Sequence, residues 1–299
     1  MISFQELGRW GRLGNQLFQY AFLRSSARRL GVPFYCPPWV GEGVFQLDDA
    51  GERAQMPEGI IARYEAPAAN AGFDPSALDI ADGTDVGGYF QSERYFVDAA
   101  AVRAWFRFRE DAIARVRAKY QHVDFARSVG LHLRFGDKLR ELHSVIAPPR
   151  YYRAALRRVR GGATRLVFSD EIDRARAWLR GLPGPFVFVD GNEPWEDLYL
   201  MTRCRDFVCS ASTLSWWGAW LDPRPDKTVV APREWLRPGY WIRSEGLRRP
   251  DWIEIRTCLP ILHDYRTLRR LARLRRRLPS RNAPSSLRRS TTGASPSRR

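Results

Sequence analysis

Hydrophobic residues recur at helical spacing near the start of the chain. Leu17 and Ala21, and likewise Phe18 and Phe22, lie four residues apart, which predicts a helix that ends at Gly31. A glycine-punctuated segment precedes this helix, and a short apolar run precedes that segment. A strand, a glycine loop and a helix in this order are typical of the opening of a Rossmann-like unit.

From residue 128 onward, short β-rich runs alternate with helical patterns. The predicted strands are 128–133, 165–168, 186–189, 207–209 and 228–231. The predicted helices are 151–160, 174–181, 195–203 and 215–221, with an earlier one at 97–117. Such alternation predicts a parallel sheet whose strands are joined by right-handed helical crossovers.

The pattern as a whole predicts an α/β protein with two Rossmann-like domains. Residues 1–122 form the first predicted domain and residues 123–264 form the second. Residues 265–299 are rich in Arg, Ser and Pro, cannot bury a core, and are predicted to be a disordered or partly helical tail. Residues 40–85 have weak periodicity, and the pattern does not organise them.

The formal charge of +16 is concentrated in the tail. Twelve arginines and no acidic residue occur from Arg266 to Arg299, which leaves 37 basic and 33 acidic residues elsewhere. The globular part is therefore nearly neutral, and no nucleic-acid partner is expected. A peripheral contact of the tail with an anionic membrane is expected instead. The rival hypothesis is a binder of nucleic acid or membrane that acts through the tail.

The remaining composition indicates a cytoplasmic protein. Its four cysteines, Cys36, Cys204, Cys209 and Cys258, have neither zinc-site spacing nor the density of a disulfide framework. The first residues lack the pattern of a signal peptide, and no run approaches the roughly 18 apolar residues that span a bilayer. We expect a cytoplasmic location, with a peripheral position at the inner face of the membrane as an option.

Polar side chains follow the predicted strand 128–133. His132, Arg134 and Asp137 lie at its end, where ligands bind in open α/β sheets. The planar guanidinium of Arg134 can bind a diphosphate through two parallel hydrogen bonds, and Lys138 adds a charge nearby. An ion pair between Arg134 and Asp137 within the loop is an equally good interpretation of these residues.

Polar residues also follow the predicted strands 165–168 and 207–209. Ser169 and Asp170 could bind a nucleobase or ribose, but local sequence favours capping of the following helix. A hydroxyl cluster precedes another helix, whose start could bind an anion. Its members are Ser210, Ser212, Thr213 and Ser215. Three tryptophans follow, too many for one helix face, so we expect some to line a pocket: Trp216, Trp217 and Trp220.

The chain contains no Asp-x-Asp triplet and no Gly-x-x-x-x-Gly-Lys-Ser/Thr loop. The carboxylate pair with which many glycosyltransferases hold Mg²⁺ or Mn²⁺ is therefore missing. Arginine and a helix start would have to neutralise phosphate. We expect no metal ion and no other cofactor.

These stretches resemble the motifs of glycosyltransferase family 11, the α-1,2-fucosyltransferases. The family's Gly-Gly-Leu-Gly-Asn-Gln, Gly-Tyr-x-Gln-Ser-Glu and His-x-Arg-Arg-Gly-Asp motifs are matched by residues 11–16, 88–93 and 132–137. Its Phe-Ser-Asp-Asp, Asp-Leu-x-Leu-Met and Ser-Thr-Phe-Ser-Trp-Trp-Gly-Ala-Trp-Leu stretches are matched by residues 168–171, 197–201 and 212–221. The matches occur in order from residue 11 to about residue 235, and the last is long enough to be highly specific.

The resemblance implies a GT-B fold, in which two Rossmann-like domains face a cleft. The first domain would lie on the acceptor side, and the second would bind the GDP-sugar. The implied reaction is metal-independent, inverting transfer of L-fucose from GDP-fucose to the 2-hydroxyl of a galactose-containing glycan, in surface polysaccharide synthesis. Arg134 would hold the diphosphate and offset the charge of the leaving group.

The resemblance also implies the site residues. The catalytic candidates are Arg134, Asp137 and Glu141. The substrate-binding candidates are Gly11, Gly14, Asn15, Gln16, Glu93, His132, Ser169, Asp170, Ser212, Thr213, Ser215 and Trp216. Inversion needs a base for the acceptor hydroxyl or a loose transition state, and Asp137, Glu141 and Glu93 all remain candidates for the base.

Two positions depart from the family pattern. Phe135 stands where the family has a second Arg, and Ala211 stands where Asn is common. Because a missing charge-assisted contact costs about 1.5–3 kcal/mol, the alternatives are weaker donor binding, another GDP-sugar donor or lost activity. Lys138 or Arg140 could compensate for the missing charge.

Overall fold

The fold is taken from a computed structural model, which describes residues 1–56, 58–59, 62–67, 72–160, 164–238 and 245–258. The predicted tail, residues 265–299, lies outside these ranges, as does the end of the predicted second domain. The described residues form two parallel sheets with helices packed against them. The predicted α/β class is thus confirmed.

The first sheet has four parallel strands. They are β1 (Ile2–Ser3), β2 (Phe34–Tyr35), β3 (Ala62–Glu65) and β4 (Thr84–Gly87), in the spatial order β2-β1-β4-β3. Strand β3 lies within the region that the sequence pattern does not organise. Its side chains are mostly exposed at the edge of the sheet, so it lacks an alternating apolar pattern.

Four α-helices lie among the described residues of this part of the chain. They are α1 (Leu13–Leu30), α2 (Gly41–Val44), α3 (Ala99–Trp105) and α4 (Glu110–Lys119). Helix α1 ends as predicted, because Gly31 adopts a left-handed conformation with φ of +67°. Most of its residues are buried on all sides, so it packs as a central helix between other elements.

The single helix predicted over 97–117 is wrong, since α3 and α4 are separate. Phe108, between them, forms an isolated antiparallel bridge with Phe45. The N–H group of Arg109 donates to the carbonyl of Val44 at 2.9 Å. The backbone between the two helices therefore pairs with a distant segment instead of continuing the helix.

The second sheet has six parallel strands. They are β5 (Ser128–Leu133), β6 (Thr164–Ser169), β7 (Phe186–Val189), β8 (Asp206–Val208), β9 (Val229–Pro232) and β10 (Ile253–Ile255). Their spatial order is β10-β9-β8-β5-β6-β7. The five predicted strands are confirmed to within one residue at each end. Strand β10 was not predicted, because three half-exposed residues at a sheet edge leave no apolar run.

Helices α5 (Pro149–Leu156), α6 (Ile172–Trp178), α7 (Pro194–Arg203) and α8 (Thr213–Trp220) follow β5, β6, β7 and β8 in turn. The sequence predicts each of them, but it places their starts one or two residues late and the ends of α5 and α6 four and three residues late. Pro149 and Pro194 each occupy the first helical position, where the missing N–H costs nothing and the fixed φ suits a helix.

Helices α1 and α8 hold the two sheets together. The ring of Phe18 lies 4.7 Å from that of Trp216 and 4.8 Å from that of Trp217, measured between centroids. Buried residues from both sheets form one continuous hydrophobic cluster around this contact. The two sheets are therefore fixed relative to each other. The predicted domain boundary at residue 122 falls in the segment between α4 and β5.

Asp197 lies in the first turn of α7, where its Oδ1 accepts a hydrogen bond from Asn192 Nδ2 at 2.9 Å. Burial, reinforced by the charge of Glu196, raises the pKa of Asp197 to about 7 despite that hydrogen bond. An unfolded aspartate has a pKa of about 3.9. The folded state therefore binds the proton more tightly, and stability from this group falls as the pH rises from about 4 to 7.

We expect Asp197→Asn to stabilise the protein at pH 8 and to change its stability little at pH 4. Asparagine keeps an oxygen that can accept the hydrogen bond but has no charge to desolvate. Melting temperatures from pH 4 to pH 8 test this, with Asp173→Asn, an exposed aspartate at the start of α6, as the matched control. A lower melting temperature than the parent at pH 8 would contradict it.

Candidate functional site

The loops that follow β5, β6 and β8 meet at one edge of the second sheet. They carry Arg134, Asp170 and Ser210, respectively. Strand β5 pairs with β6 on one side and with β8 on the other, so its loop lies between the other two. In open α/β sheets this carboxyl edge is where ligands bind.

Two carboxylates hold the guanidinium of Arg134. Its Nη1 lies 2.6 Å from Asp170 Oδ2, and its Nη2 donates to Asp137 Oδ1. The other oxygen of Asp170 accepts a hydrogen bond from the N–H of Phe135 at 3.0 Å. The ion pair with Asp137, one of the two interpretations of the sequence, is therefore present. The side chain of Arg134 is only 13% exposed, so its direction is fixed.

Asp137 and Glu141, the two carboxylates in this loop, are surrounded by donors and cations. Burial alone would raise the pKa of Asp137, but the charges of Arg134 and Lys138 outweigh burial and hold that pKa below its usual value. Burial is outweighed in the same way at Glu141, where hydrogen bonds from Ser144 and Lys138 lower the pKa. Both groups are therefore ionised near neutral pH and are weak bases.

His132 is buried beneath the site. Its Nδ1 lies 2.9 Å from Ser210 Oγ, and its carbonyl accepts a hydrogen bond from Tyr152 at 2.9 Å. Burial, together with the charge of Arg134, lowers the pKa of His132 to about 3, so the ring is neutral. The N–H of Ser210 donates to Ser215 Oγ at 3.1 Å. His132 and Ser215 therefore support the loop after β8 from below.

The other predicted hydroxyl ligands have different environments. Ser169 Oγ accepts a hydrogen bond from the N–H of Glu171 at 3.1 Å, so it stabilises the turn before α6. Thr213 Oγ1 donates to Asn15 Oδ1 at 2.9 Å. Ser212 is the N-cap of α8 and makes no side-chain cap hydrogen bond. Of these three hydroxyls, that of Ser212 is best placed for a ligand.

The glycine loop before α1 is held by Gln16. Its Nε2 donates to the carbonyls of Gly8 and Gly11 at 3.3 Å each. Gly11 has φ of +77°, and a Cβ there would lie 2.4 Å from the side-chain nitrogen of Asn15. Glycine is therefore required at this position, and the loop holds Arg12 outward.

Gly14 and Asn15 join α1 to α8. A Cβ on Gly14 would lie 2.4 Å from the backbone nitrogen of Leu214, so glycine is needed where the helix starts meet. Asn15 Oδ1 accepts hydrogen bonds from Gln91 Nε2 at 3.0 Å and from Thr213 Oγ1 at 2.9 Å. Sequence reasoning assigns no role to Gln91, although its place in the Gly-Tyr-x-Gln-Ser-Glu motif is a signal that could have found it.

All three tryptophans of α8 are buried. Trp216 Nε1 donates to the carbonyl of Leu247 at 3.1 Å, and Trp217 Nε1 donates to the carbonyl of Gly14 at 2.9 Å. The expectation that some of these rings line a pocket is wrong, because they pack against one another in the core between the sheets. Trp216 consequently presents no surface to a substrate in this conformation.

Glu93, a candidate base, links α8 to the loop before β10. Its Oε2 accepts hydrogen bonds from Trp220 Nε1 at 2.9 Å and from Arg249. The guanidinium of Arg103 lies over the ring of the same tryptophan, 4.1 Å from its centroid. This arrangement favours a structural link over a proton acceptor.

The site lies where the two sheets face each other. Arg12, from the first sheet's glycine loop, places Nη2 3.7 Å from Asp137 Oδ2, in the loop after β5. Directly after Asp170, an open depression of about 510 Å³ begins. It is lined by Glu171, Ile172, Asp173, Arg174 and Ala177.

Phe135 belongs to the core of the second sheet. It is 1% exposed, and its ring packs edge-on against Trp178 with 5.5 Å between centroids. The guanidinium of Arg174 lies 5.7 Å from the centroid of the same ring. Position 135 therefore faces away from the site. Ala211, the other departure from the family pattern, is also buried.

We expect Phe135→Arg to lower the free energy of unfolding by about 3–5 kcal/mol. The change buries an unpaired charge and places it beside Arg174. Phe135→Leu, the matched control, should cost about 1.5 kcal/mol or less. Urea unfolding of the three proteins measures both effects. An arginine variant as stable as the parent would show that position 135 can face solvent.

No group of three or more His, Cys, Asp or Glu side chains in the described ranges is arranged to hold a metal ion. Within the same ranges, no helix has the length and hydrophobicity of a membrane span. Cys36, Cys204, Cys209 and Cys258 are free thiols, and the first three of them are buried.

Comparison with known proteins identifies the family. Residues 87–256, more than half of the chain, match the model for glycosyl transferase family 11. The chain belongs to glycosyltransferase family 11. The match includes every strand from β5 to β10 and therefore the loops that carry the site. The family inferred from the sequence motifs is thereby confirmed.

Several curated proteins are similar in sequence to the chain. It is 34% identical over 139 residues to the O-antigen biosynthesis glycosyltransferase WbnK of Escherichia coli, covering 44% of this chain and 45% of that protein. It is 23% identical over 284 residues to an alpha-1,2-colitosyltransferase of Escherichia coli, covering 79% and 97%. It is 31% identical over 140 residues to galactoside alpha-(1,2)-fucosyltransferase 1 of Lagothrix lagotricha, covering 42% and 38%. The first and third matches thus span less than half of each relative.

Solved structures confirm the fold. POFUT1 in complex with GDP superposes with a TM-score of 0.52 at 13% identity, over 77% of this chain and 97% of that one. The apo form of POFUT1 gives a TM-score of 0.50 with the same identity and coverage. At this identity the likeness establishes the fold alone, which is the predicted GT-B-like arrangement of two parallel α/β sheets.

Proposed function

We propose that the protein transfers L-fucose from GDP-fucose to the 2-hydroxyl of a galactose-containing glycan, with inversion and without a metal ion. The observation that carries the proposal is Arg134, held by two carboxylates at the carboxyl edge of β5 with Arg12 opposite. Family membership and the α-1,2 linkage in the names of two relatives support it. POFUT1, which shares the fold, was solved with GDP and with GDP-fucose.

Arg134 is assigned to the diphosphate. In the proposed reaction, the bond between the anomeric carbon of fucose and a phosphate oxygen breaks, and its electron pair leaves with GDP. The oxygen of the acceptor hydroxyl forms the new bond on the opposite face of the sugar. The ion pairs with Asp137 and Asp170 orient the guanidinium before the donor arrives, so it offsets the leaving-group charge without reorganising.

None of the three candidate carboxylates is well placed as the base. Glu93 is held by Trp220, and Glu141 is held by Lys138. Asp137 shares Arg134 with the proposed diphosphate and therefore lies on the leaving-group side, whereas inversion needs the base on the opposite face. We propose a loose transition state in which the sugar gains positive charge early and the hydroxyl proton passes late to solvent.

Two observations favour a second donor. The relative that aligns over 97% of its own length is named a colitosyltransferase, whereas the fucosyltransferase aligns over 38% of its length. In addition, position 135 holds a buried Phe where the family motif has its second Arg, so the site lacks that charge. Transfer of a different sugar from a GDP-linked donor is therefore the alternative.

A donor and acceptor screen tests the proposal. The purified full chain is incubated with GDP-fucose, GDP-mannose or UDP-galactose and a galactose-terminated oligosaccharide, and product formation is measured. We expect transfer from GDP-fucose alone, and none when the terminal galactose lacks its 2-hydroxyl. Transfer from a UDP-sugar, or to the 2-deoxy acceptor, would contradict the proposal.

We expect Arg134→Ala to lower kcat/KM at least about a hundredfold, the scale of deleting one preorganised donor to a developing anion. Arg134→Lys should recover little, since an ammonium lacks the two-pronged geometry. Arg224→Ala, which removes an arginine paired with Asp222 beyond the far end of α8, is the control. Melting temperatures verify folding. A near-native rate in folded Arg134→Ala would place the donor elsewhere.

We expect transfer to continue at the full rate in excess EDTA. The chain has no Asp-x-Asp triplet, and the proposal assigns the diphosphate charge to arginine. Initial rates with EDTA, and with EDTA followed by Mn²⁺, measure this. Activity that is lost and then restored by Mn²⁺ would contradict the metal-independent reaction.

The setting of the reaction is proposed on the same basis. The O-antigen name of one relative supports an acceptor that belongs to surface polysaccharide synthesis. A cytoplasmic location and a contact between the Arg-rich tail and an anionic membrane stay predictions from the sequence, because the tail lies outside the described residues.

A further inference from the structure

Arg12 stands where the family's Gly-Gly-Leu-Gly-Asn-Gln motif has its second glycine. It is the N-cap residue of α1 and has an extended backbone, φ −99° and ψ −179°, which any residue can adopt. The hydrogen bonds from Gln16 to Gly8 and Gly11 fix the loop around it. The side chain is 66% exposed and lies 3.7 Å from Asp137. A rigid loop therefore holds a long cation against the candidate site.

Two other cations at this edge, Arg134 and Lys138, already have close carboxylate partners. Arg134 makes close ion pairs with two carboxylates and is 13% exposed. Lys138 Nζ lies 3.0 Å from Glu141 Oε2. The contact of Arg12 with Asp137 is long, and within the described ranges it is the only ion pair of Arg12. A diphosphate can therefore recruit Arg12 without breaking a close ion pair.

Arg12 matters for the donor site because position 135 lacks the positive charge that the family motif has there. Phe135 is part of the core, so the loop after β5 offers Arg134 alone where the family motif has two arginines. Arg12 approaches the same carboxylate, Asp137, from the first sheet. We propose that Arg12 supplies the second cation of the donor site, so that the diphosphate is bound from both sheets. This inference rests on the proposed GDP-sugar donor.

Titration calorimetry with GDP tests the proposal on the full chain. We expect Arg12→Ala, and equally Arg12→Gly, the family residue, to weaken GDP binding at least about tenfold, the scale of one lost charge-assisted contact. Arg12→Lys should lie between the parent and Arg12→Ala. Arg9→Ala, an exposed arginine in the same loop, is the matched control and should change affinity less than about twofold.

The outcomes separate this proposal from the proposed function. A parent protein that does not bind GDP overturns both. A parent that binds GDP, together with an Arg12→Ala protein of equal affinity, overturns the role of Arg12 and leaves the proposed donor intact. Arg140→Ala tests the other exposed arginine near the site. A tenfold loss of GDP affinity in Arg140→Ala, without such a loss in Arg12→Ala, also overturns the role of Arg12. Because Arg12 is exposed, unchanged melting temperatures should accompany the loss of binding.

Discussion

The close approach of α1 and α8 is the contact on which the rest of the molecule depends. Gly14 permits it, because any side chain there would collide with the backbone of Leu214. Phe18 and the tryptophans of α8 then fill the space between the sheets with aromatic rings. The glycine loop and the carboxyl edge of the second sheet are brought together by this packing. A shift of one helix along the other would separate Arg12 from Asp137.

Electrostatic pairing, more than exposed charge, defines the candidate site. Arg134 and Lys138, in the loop after β5, have close carboxylate partners, and His132 beneath them is kept neutral by burial. Such pairing orients Arg134 before a ligand arrives. The two carboxylates also offset most of the positive charge of its guanidinium. An anionic donor would therefore be neutralised partly by a cation from outside this loop, and Arg12 has the position for that role.

Family membership constrains the chemistry more tightly than it constrains the sugar. Two relatives carry an α-1,2 linkage in their names, yet one transfers a colitosyl and the other a fucosyl group. Phe135 is a core residue packed against Trp178. It therefore does not contact a ligand in place of the arginine that the family motif has at this position. In the proposal made above, Arg12 supplies the positive charge that position 135 lacks.

The amino-acid sequence determined the parts of this protein that depend on near neighbours. Five of the six strands of the second sheet, the end of α1 at Gly31 and the family motifs follow from periodicity, glycine conformation and short residue strings. Tertiary structure alone decided which motif residues meet. Asn15 bonds with Gln91 and Thr213, which are 76 and 198 residues away, and no local pattern encodes such pairs. The burial of Trp216 and Phe135 was decided in the same way, because burial depends on what packs against a side chain and not on its neighbours along the chain.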